Sequence, residues 1–247
     1  MEIDSTYYLT DSIFIQNNKT YYKDKNEVKE VKDHNWHKIL CRYGWEKINK
    51  RWITLLNKQN KVRKNKNSLF AVYDCESDGN CFFQCIANAM NENEQHSFYD
   101  HNDIRNKIAD SITEEQYNIL MDAYTAMKDA NDFDEEWNPY DIQCLDDFKE
   151  QLKQSGHNYW GDYLLLQIII NLFQLNIFIL NSNSFSNNYS IYNTLQEYNP
   201  EYNSIFLMYE DECHFQLVGY FKDGKMISYF HSKNIPYELL KLYTIIR

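Results

Sequence analysis

The stretch Tyr73–Cys85, "YDCESDGNCFFQC", holds Cys75, Cys81 and Cys85, three of the chain's six cysteines. "SLFAVYD" (68–74) reads as a short buried strand, and "CFFQCIANAM" (81–90) as a helix that begins at the cysteine. The turn "SDGN" lies between them. A thiol at a helix N-terminus meets the positive end of the dipole and unpaired amides, and both favour thiolate over thiol. Gly79 adopts backbone angles that other residues resist. The amides of Gly79, Asn80 and Cys81 can converge on the oxygen of a tetrahedral intermediate, an arrangement typically contributing about 3–4 kcal/mol to the transition state. Cys85 lies one helical turn further on, with Ile86 and Ala89, and reads as a packing residue. Cys75 has no helix terminus to activate it. Alone, D-G-N-C is a weak signal, because aspartate–glycine turns are common and a cysteine after one is more often structural.

The composition bounds the alternatives. A 247-residue chain with 43% hydrophobic residues and three prolines has the makings of an ordinary globular core. The net charge of −11 argues against nucleic acid as a partner. None of the cysteines forms a C-x-x-C pair and no histidine sits at finger spacing, so neither metal nor cofactor is expected. "MEIDSTYYLTDSIF" carries acids and hydroxyls where a signal peptide would be apolar. "LLLQIIINLFQL" (164–175) is too short and too interrupted to span a bilayer. The expectation is an intracellular, cytoplasmic protein with reduced thiols, and heavy use of Asn, Lys, Ile and Tyr suggests an AT-rich genome, including that of a virus or intracellular pathogen in a host cytoplasm.

The chain divides into three regions. Residues 1–66 form an extension: a hairpin turning at Asn17-Asn18, then a helical face of Trp45, Ile48, Trp52, Leu55 and Leu56. Between Lys47 and Lys66 every charged residue is basic, which suits a solvated linker or helix face better than a nucleic-acid or anionic-surface contact. Residues 67–221 read as the functional domain. Helices are expected at 101–112, 114–129 (Thr113 and Gln116 forming a capping box) and 143–154, stopped by Gly156, and from Asp162 through "YLLLQIIINLFQL". Strands "NIFIL", "SIFLMY" and "HFQLVGYF" follow. The last turns at Asp223-Gly224 into "KMISYF". Residues 222–247 complete the domain with that strand and a short helix opened by Pro236.

A thiolate needs a base to take and return its proton. Of the chain's seven histidines, His214 opens a strand, where the sheet can aim its ring. A plain hydrogen-bonded strand histidine is the competing reading.

"SDGNCFFQCIANAM", then "WGDYLLLQIIINLFQLNIFIL", then "CHFQLVGYF" resemble, in order, the ovarian-tumour (OTU) family of cysteine deubiquitinases. The resemblance covers roughly residues 67–221. It implies an α+β, papain-like fold with a central β-sheet flanked by helices, and hydrolysis of isopeptide bonds at the C-terminus of ubiquitin. It makes Cys81 the nucleophile and His214 the base and later acid, matches Asp78 to an acidic residue often assigned to the site, and assigns the oxyanion loop to Gly79 and Asn80. Trp160, Gly161 and Asp162 match the middle motif, which reads physically as a tight turn and a helix cap. The family commonly has Asp or Asn two residues after the histidine, and this chain has Gln216. Residues 214 and 216 share one face of a strand, so Gln216, Asp78 or Asp74 can hold the imidazole. The implied partner is ubiquitin or polyubiquitin. A protease for another ubiquitin-like modifier or a polyprotein would carry the same residues, and a non-catalytic ubiquitin-binding module is the reading from outside enzymology. Residues 1–66 are either a substrate-targeting arm or a packing extension.

Overall fold

The computed structural model describes residues 6–59, 68–93, 98–133, 135–183, 188–192, 198–211 and 213–243. The second part of the basic run, from residue 60 to Lys66, lies outside them. Four short strands open the fold as an antiparallel meander: β1 (Tyr7–Tyr8), β2 (Ile13–Gln16), β3 (Lys19–Asp24) and β4 (Glu27–Glu30). The β2–β3 turn falls on Asn17 and Asn18, at φ 49° and 59°, the left-handed pair that a two-residue hairpin requires. Helix α1 (Trp36–Ile39), strand β5 (Trp45–Lys47), helix α2 (Lys50–Gln59) and strand β6 (Phe70–Tyr73) follow. Then come helices α3 (Cys81–Asn93), α4 (His101–Ser111), α5 (Glu114–Asp129), α6 (Leu145–Lys153) and α7 (Leu166–Phe173). Strands β7 (Leu175–Asn183), β8 (Asn188–Tyr192), β9 (Asn203–Glu210), β10 (His214–Lys222) and β11 (Lys225–Ile227), then helix α8 (Tyr237–Leu242), close the described chain.

The central sheet has seven strands in the order β5-β6-β10-β9-β7-β8, with β11 paired to β10. The β7–β9 pair is parallel and the others are antiparallel. Period-2 alternation sorts the apolar residues onto two faces. Ala71, Leu217, Ile177, Ile179, Ile205 and Leu207 join a core with α3, α4 and α7. Phe70, Val72, Val218, Phe178, Phe206 and Met208 join a second core with Trp52 and Leu56 of α2 and Leu239 of α8. The sheet is therefore covered on both faces, the expected α+β architecture. Among the described residues no helix is long and apolar enough to cross a membrane.

Most local expectations match the structure. Thr113 and Gln116 form the reciprocal capping box of α5, and Asp223-Gly224 makes the β10–β11 turn at φ 53° and 88°. The continuous helical face over Trp45–Leu56 does not. Trp45 pairs with Tyr73 as an edge strand, and the helix starts only at Lys50. The spacing misleads because Trp45 faces one core and Ile48 and Trp52 the other. The sheet edge, which outlies the local pattern, decides the conformation. The described part of the extension packs against the rest of the chain. The extension supplies β5, Trp36 stacks on Phe221 with centroids 6.2 Å apart, and the Thr20 amide donates to the Gly224 carbonyl at 2.8 Å.

Candidate active site

Helix α3 begins at Cys81 because the Asn80 carbonyl accepts the first helical bond, from the Gln84 amide at 2.9 Å. The Cys81 side chain is buried, and its Sγ accepts from the Phe215 amide at 3.5 Å. That contact joins the head of α3 to the start of β10, where the neighbouring residue is His214. The Phe215 ring wedges between Phe82 and Tyr209, at centroid distances of 4.9 and 4.4 Å. Burial pushes the Cys81 thiol up from its ordinary value, more than the Phe215 and Phe82 amides draw it down.

His214 Nδ1 lies 3.4 Å from Ser77 Oγ. Among the described residues it makes no hydrogen bond with Cys81, Asp78, Asp74 or Gln216. The candidate orienters are otherwise placed. Both Asp78 carboxylate oxygens accept from Asn80, one from its amide and one from Nδ2, each at 3.0 Å. Burial opposes ionisation of Asp78, but these Asn80 donors, its own amide and His101 together hold the carboxyl below its usual range. Asp78 is thus a turn-former that does not reach the imidazole. Gln216 faces Met208 across the β9–β10 ladder. The Asp74 amide is bonded to the Gly44 carbonyl at 2.9 Å. Ser77, which has no pattern in the sequence to mark it, is the side chain that meets the ring.

The turn departs from expectation at Asn80, whose amide is committed to Asp78. Gly79 has φ 85°, and a Cβ there would stand 2.4 Å from the carbonyl carbon and oxygen of Gly156. Only glycine fits that angle and that approach. The Asn80 side-chain oxygen accepts from the Gly156 amide at 3.1 Å and from Arg105. Arg105, fully buried on α4, escaped the sequence reading. The available signal was an arginine among Ile104, Ile108 and Ala109, the core-facing positions of an amphipathic helix.

The middle motif supports the turn from behind. Gly161 lies against Phe82, where a Cβ would fall 2.2 Å from Cδ1. Asp162 accepts from the Leu164 amide at 2.8 Å, the expected cap, and burial raises its carboxyl to about 6. Glu135 accepts from the Trp160 amide at 3.1 Å and from Trp137 Nε1, and burial raises it to about 7. The remaining thiols of the cluster, Cys75 and Cys85, are buried with sulfurs 3.5 Å apart. Burial holds the Cys85 thiol well above its ordinary value, so it packs as expected.

No curated protein matches the chain significantly. Among solved structures it resembles the OTU domain of OTUD1 (16% identity, TM-score 0.40, covering 68% of this chain and 95% of that one). It also resembles the Hazara virus OTU bound to ubiquitin (17%, 0.40, 62% and 82%) and an OTU deubiquitinase from Wolbachia pipientis wMel (10%, 0.39, 61% and 88%). The family model of the OTU-like cysteine protease matches residues 76–215. That span opens just ahead of the Cys81 turn, closes one residue past His214 and takes in more than half of the chain, which therefore belongs to the OTU-like cysteine protease family.

Proposed function

We propose that the chain is a thiol deubiquitinase that hydrolyses isopeptide bonds at the ubiquitin C-terminus, with Cys81 as nucleophile and His214 as general base and acid. The observation that carries the reading is the Phe215 amide on Cys81 Sγ at 3.5 Å, which sets the histidine's strand against the head of the nucleophile's helix. The ordered D-G-N-C, W-G-D and C-H-F blocks, which resemble those of OTU deubiquitinases, support the cysteine-protease chemistry, and ubiquitin enters as the modifier that the resemblance implies. In the free protein the imidazole rests on Ser77, and burial holds the thiol above its ordinary value. Catalysis requires the ring to turn onto Sγ, as catalytic hydrogen bonds often tighten only with substrate bound.

His214 then takes the thiol proton as sulfur attacks the C-terminal carbonyl of ubiquitin. The amides of Gly79 and Cys81 receive the oxyanion, since Asp78 occupies that of Asn80. The intermediate collapses with the proton passing from His214 to the departing lysine amine, leaving a thioester on Cys81. Water, deprotonated by His214, attacks the thioester, and the proton returns to sulfur as free ubiquitin leaves. With Asp78 occupied, Ser77 is the group that steadies the ring at rest.

The test is ubiquitin bearing a C-terminal electrophile, reacted with the protein and with Cys81→Ala, Cys75→Ala and Cys85→Ala. An adduct of one ubiquitin, lost only in Cys81→Ala, is expected. No adduct with ubiquitin, but one with the same probe built on another ubiquitin-like protein, would reassign the modifier. Binding of unmodified ubiquitin without any adduct would favour a non-catalytic module.

A further inference from the structure

Arg105 makes more contacts than a helix-packing residue requires. Its Nε and Nη2 grip Asn80 Oδ1 at 3.2 and 2.8 Å. Nη2 also donates to the carbonyls of Gly79 at 3.2 Å and Tyr159 at 2.9 Å, and Nη1 to that of Leu152 at 3.1 Å. The guanidinium lies 3.9 Å over the Phe83 ring, and the residue is fully buried. It has no ion-pair partner among the described residues. A buried cation given only neutral acceptors costs stability unless its hydrogen bonds are made. Burial lowers its pKa to about 10, so it remains charged at neutral pH.

The acceptors say what the charge does. One is the Gly79 carbonyl, half of the peptide unit that enters Asn80, and another is the Asn80 side chain itself. Peptide planarity fixes the Asn80 amide opposite the Gly79 carbonyl. Holding that carbonyl on Arg105 therefore keeps a negative dipole away from the place where an oxyanion would form. The Leu152 and Tyr159 carbonyls anchor the same guanidinium to the far side of the turn, with Gly156 against Gly79.

We propose that Arg105 is the positioning residue of the oxyanion site: its planar fork holds the Gly79 carbonyl on itself, so that the loop carrying the flanking Gly79 and Cys81 amides offers no carbonyl to the developing negative charge. The proposal rests on the cysteine-protease reading of Cys81 and is independent of which modifier is cleaved. A lysine keeps the charge but cannot supply the fork.

The test separates sulfur reactivity from oxyanion stabilisation. Alkylation of Cys81 by iodoacetamide passes through no oxyanion, whereas acylation by p-nitrophenyl acetate does. For Arg105→Lys, acylation is expected to fall about 100-fold, the size of losing one oxyanion donor. Alkylation should stay within about twofold and keep its pH midpoint, because nothing at the sulfur has changed. Should Arg105→Lys fail to fold, Asn80→Ala, which removes the oxygen that the guanidinium grips twice, carries the same expectation. Acylation and alkylation falling together, or unchanged acylation in a folded variant, would overturn the proposal. So would a wild-type Cys81 that alkylates but never acylates. Hydrolysis of a ubiquitin C-terminal amide is measured alongside. A wild type that acylates on the ester and leaves ubiquitin intact would sink the substrate reading and leave Arg105's role standing.

Discussion

Replacing Gly161 with alanine should damage both stability and turnover through one ring. The new methyl would lie 2.2 Å from Cδ1 of Phe82 and 2.8 Å from its Cβ and Cγ, far inside the ordinary contact distance of roughly 3.5–4.0 Å. The ring cannot step aside. Phe82 is 1% exposed and is packed against Phe83 and Phe215 at centroid distances of 5.6 and 4.9 Å. Two of the three overlaps involve Cβ and Cγ, so a change of ring angle does not relieve them and the backbone at the head of α3 must move. Overpacking of this kind costs about 1–3 kcal/mol. In a protein of this size about 2 kcal/mol corresponds to a fall in Tm of roughly 4–8 °C. The displaced residues are the chain neighbours of Cys81 and of His214, and a shift of about 1 Å at a reacting centre costs on the order of 100-fold in rate. Thermal unfolding and turnover of a fluorogenic ubiquitin C-terminal amide would read both effects. A Gly161→Ala protein with unchanged Tm and unchanged kcat/KM would refute the argument that this glycine makes room for Phe82.

Other outcomes can be checked alongside. Cys81→Ala should abolish turnover, while Cys75→Ala and Cys85→Ala should retain it at a cost of about 1 kcal/mol each from lost packing, read by urea unfolding. Alkylation of Cys81 in the free protein should have its pH midpoint above that of a free cysteine, because burial raises the thiol; a neutral plateau would contradict this. Glu135, at about 7, and Asp162, at about 6, have folded-state values raised above their unfolded ones. The stability they contribute is full below about pH 4 and is lost as pH rises through 6 to 7, so Tm should decline across that window and Glu135→Gln should flatten the decline. Trp45→Ala should cost about 3–5 kcal/mol, since the ring is buried against Gly219 and Tyr73. Removal of residues 1–60 should abolish cooperative unfolding; a stable, active truncation would restore the view of that region as a separate arm.

The comparison of sequence and structure divides along the range of the interactions. Capping boxes, left-handed turn residues and the strand–turn–helix at Cys81 depend on neighbours within a few positions, and they were legible. The pairing of β5 with β6 was not, because local spacing cannot see the partner strand, and Trp45 was read as helical. At the site, Cys81 and His214 could be named, but the fate of each polar group around them is tertiary. Asp78 turned inward to Asn80 rather than outward to the ring, and Ser77 met the imidazole instead. Arg105 stayed hidden because its acceptors are carbonyls, which every residue carries, at separations of 26 to 54 positions.

The place of β10 in the sheet has a consequence for synthesis. It is an interior strand, flanked by β6 and β9, yet it is among the last to be made. Until it leaves the ribosome, β6 and β9 each expose an open edge and the sheet consists of two unjoined halves. Insertion of this one strand seals both edges and brings Phe215, next to the histidine, onto the cysteine across 134 residues of chain. A nascent chain is therefore prone to association through these bare edges until β10 has been translated. Premature termination anywhere before this strand leaves Cys81 without its Phe215 contact and both sheet edges open.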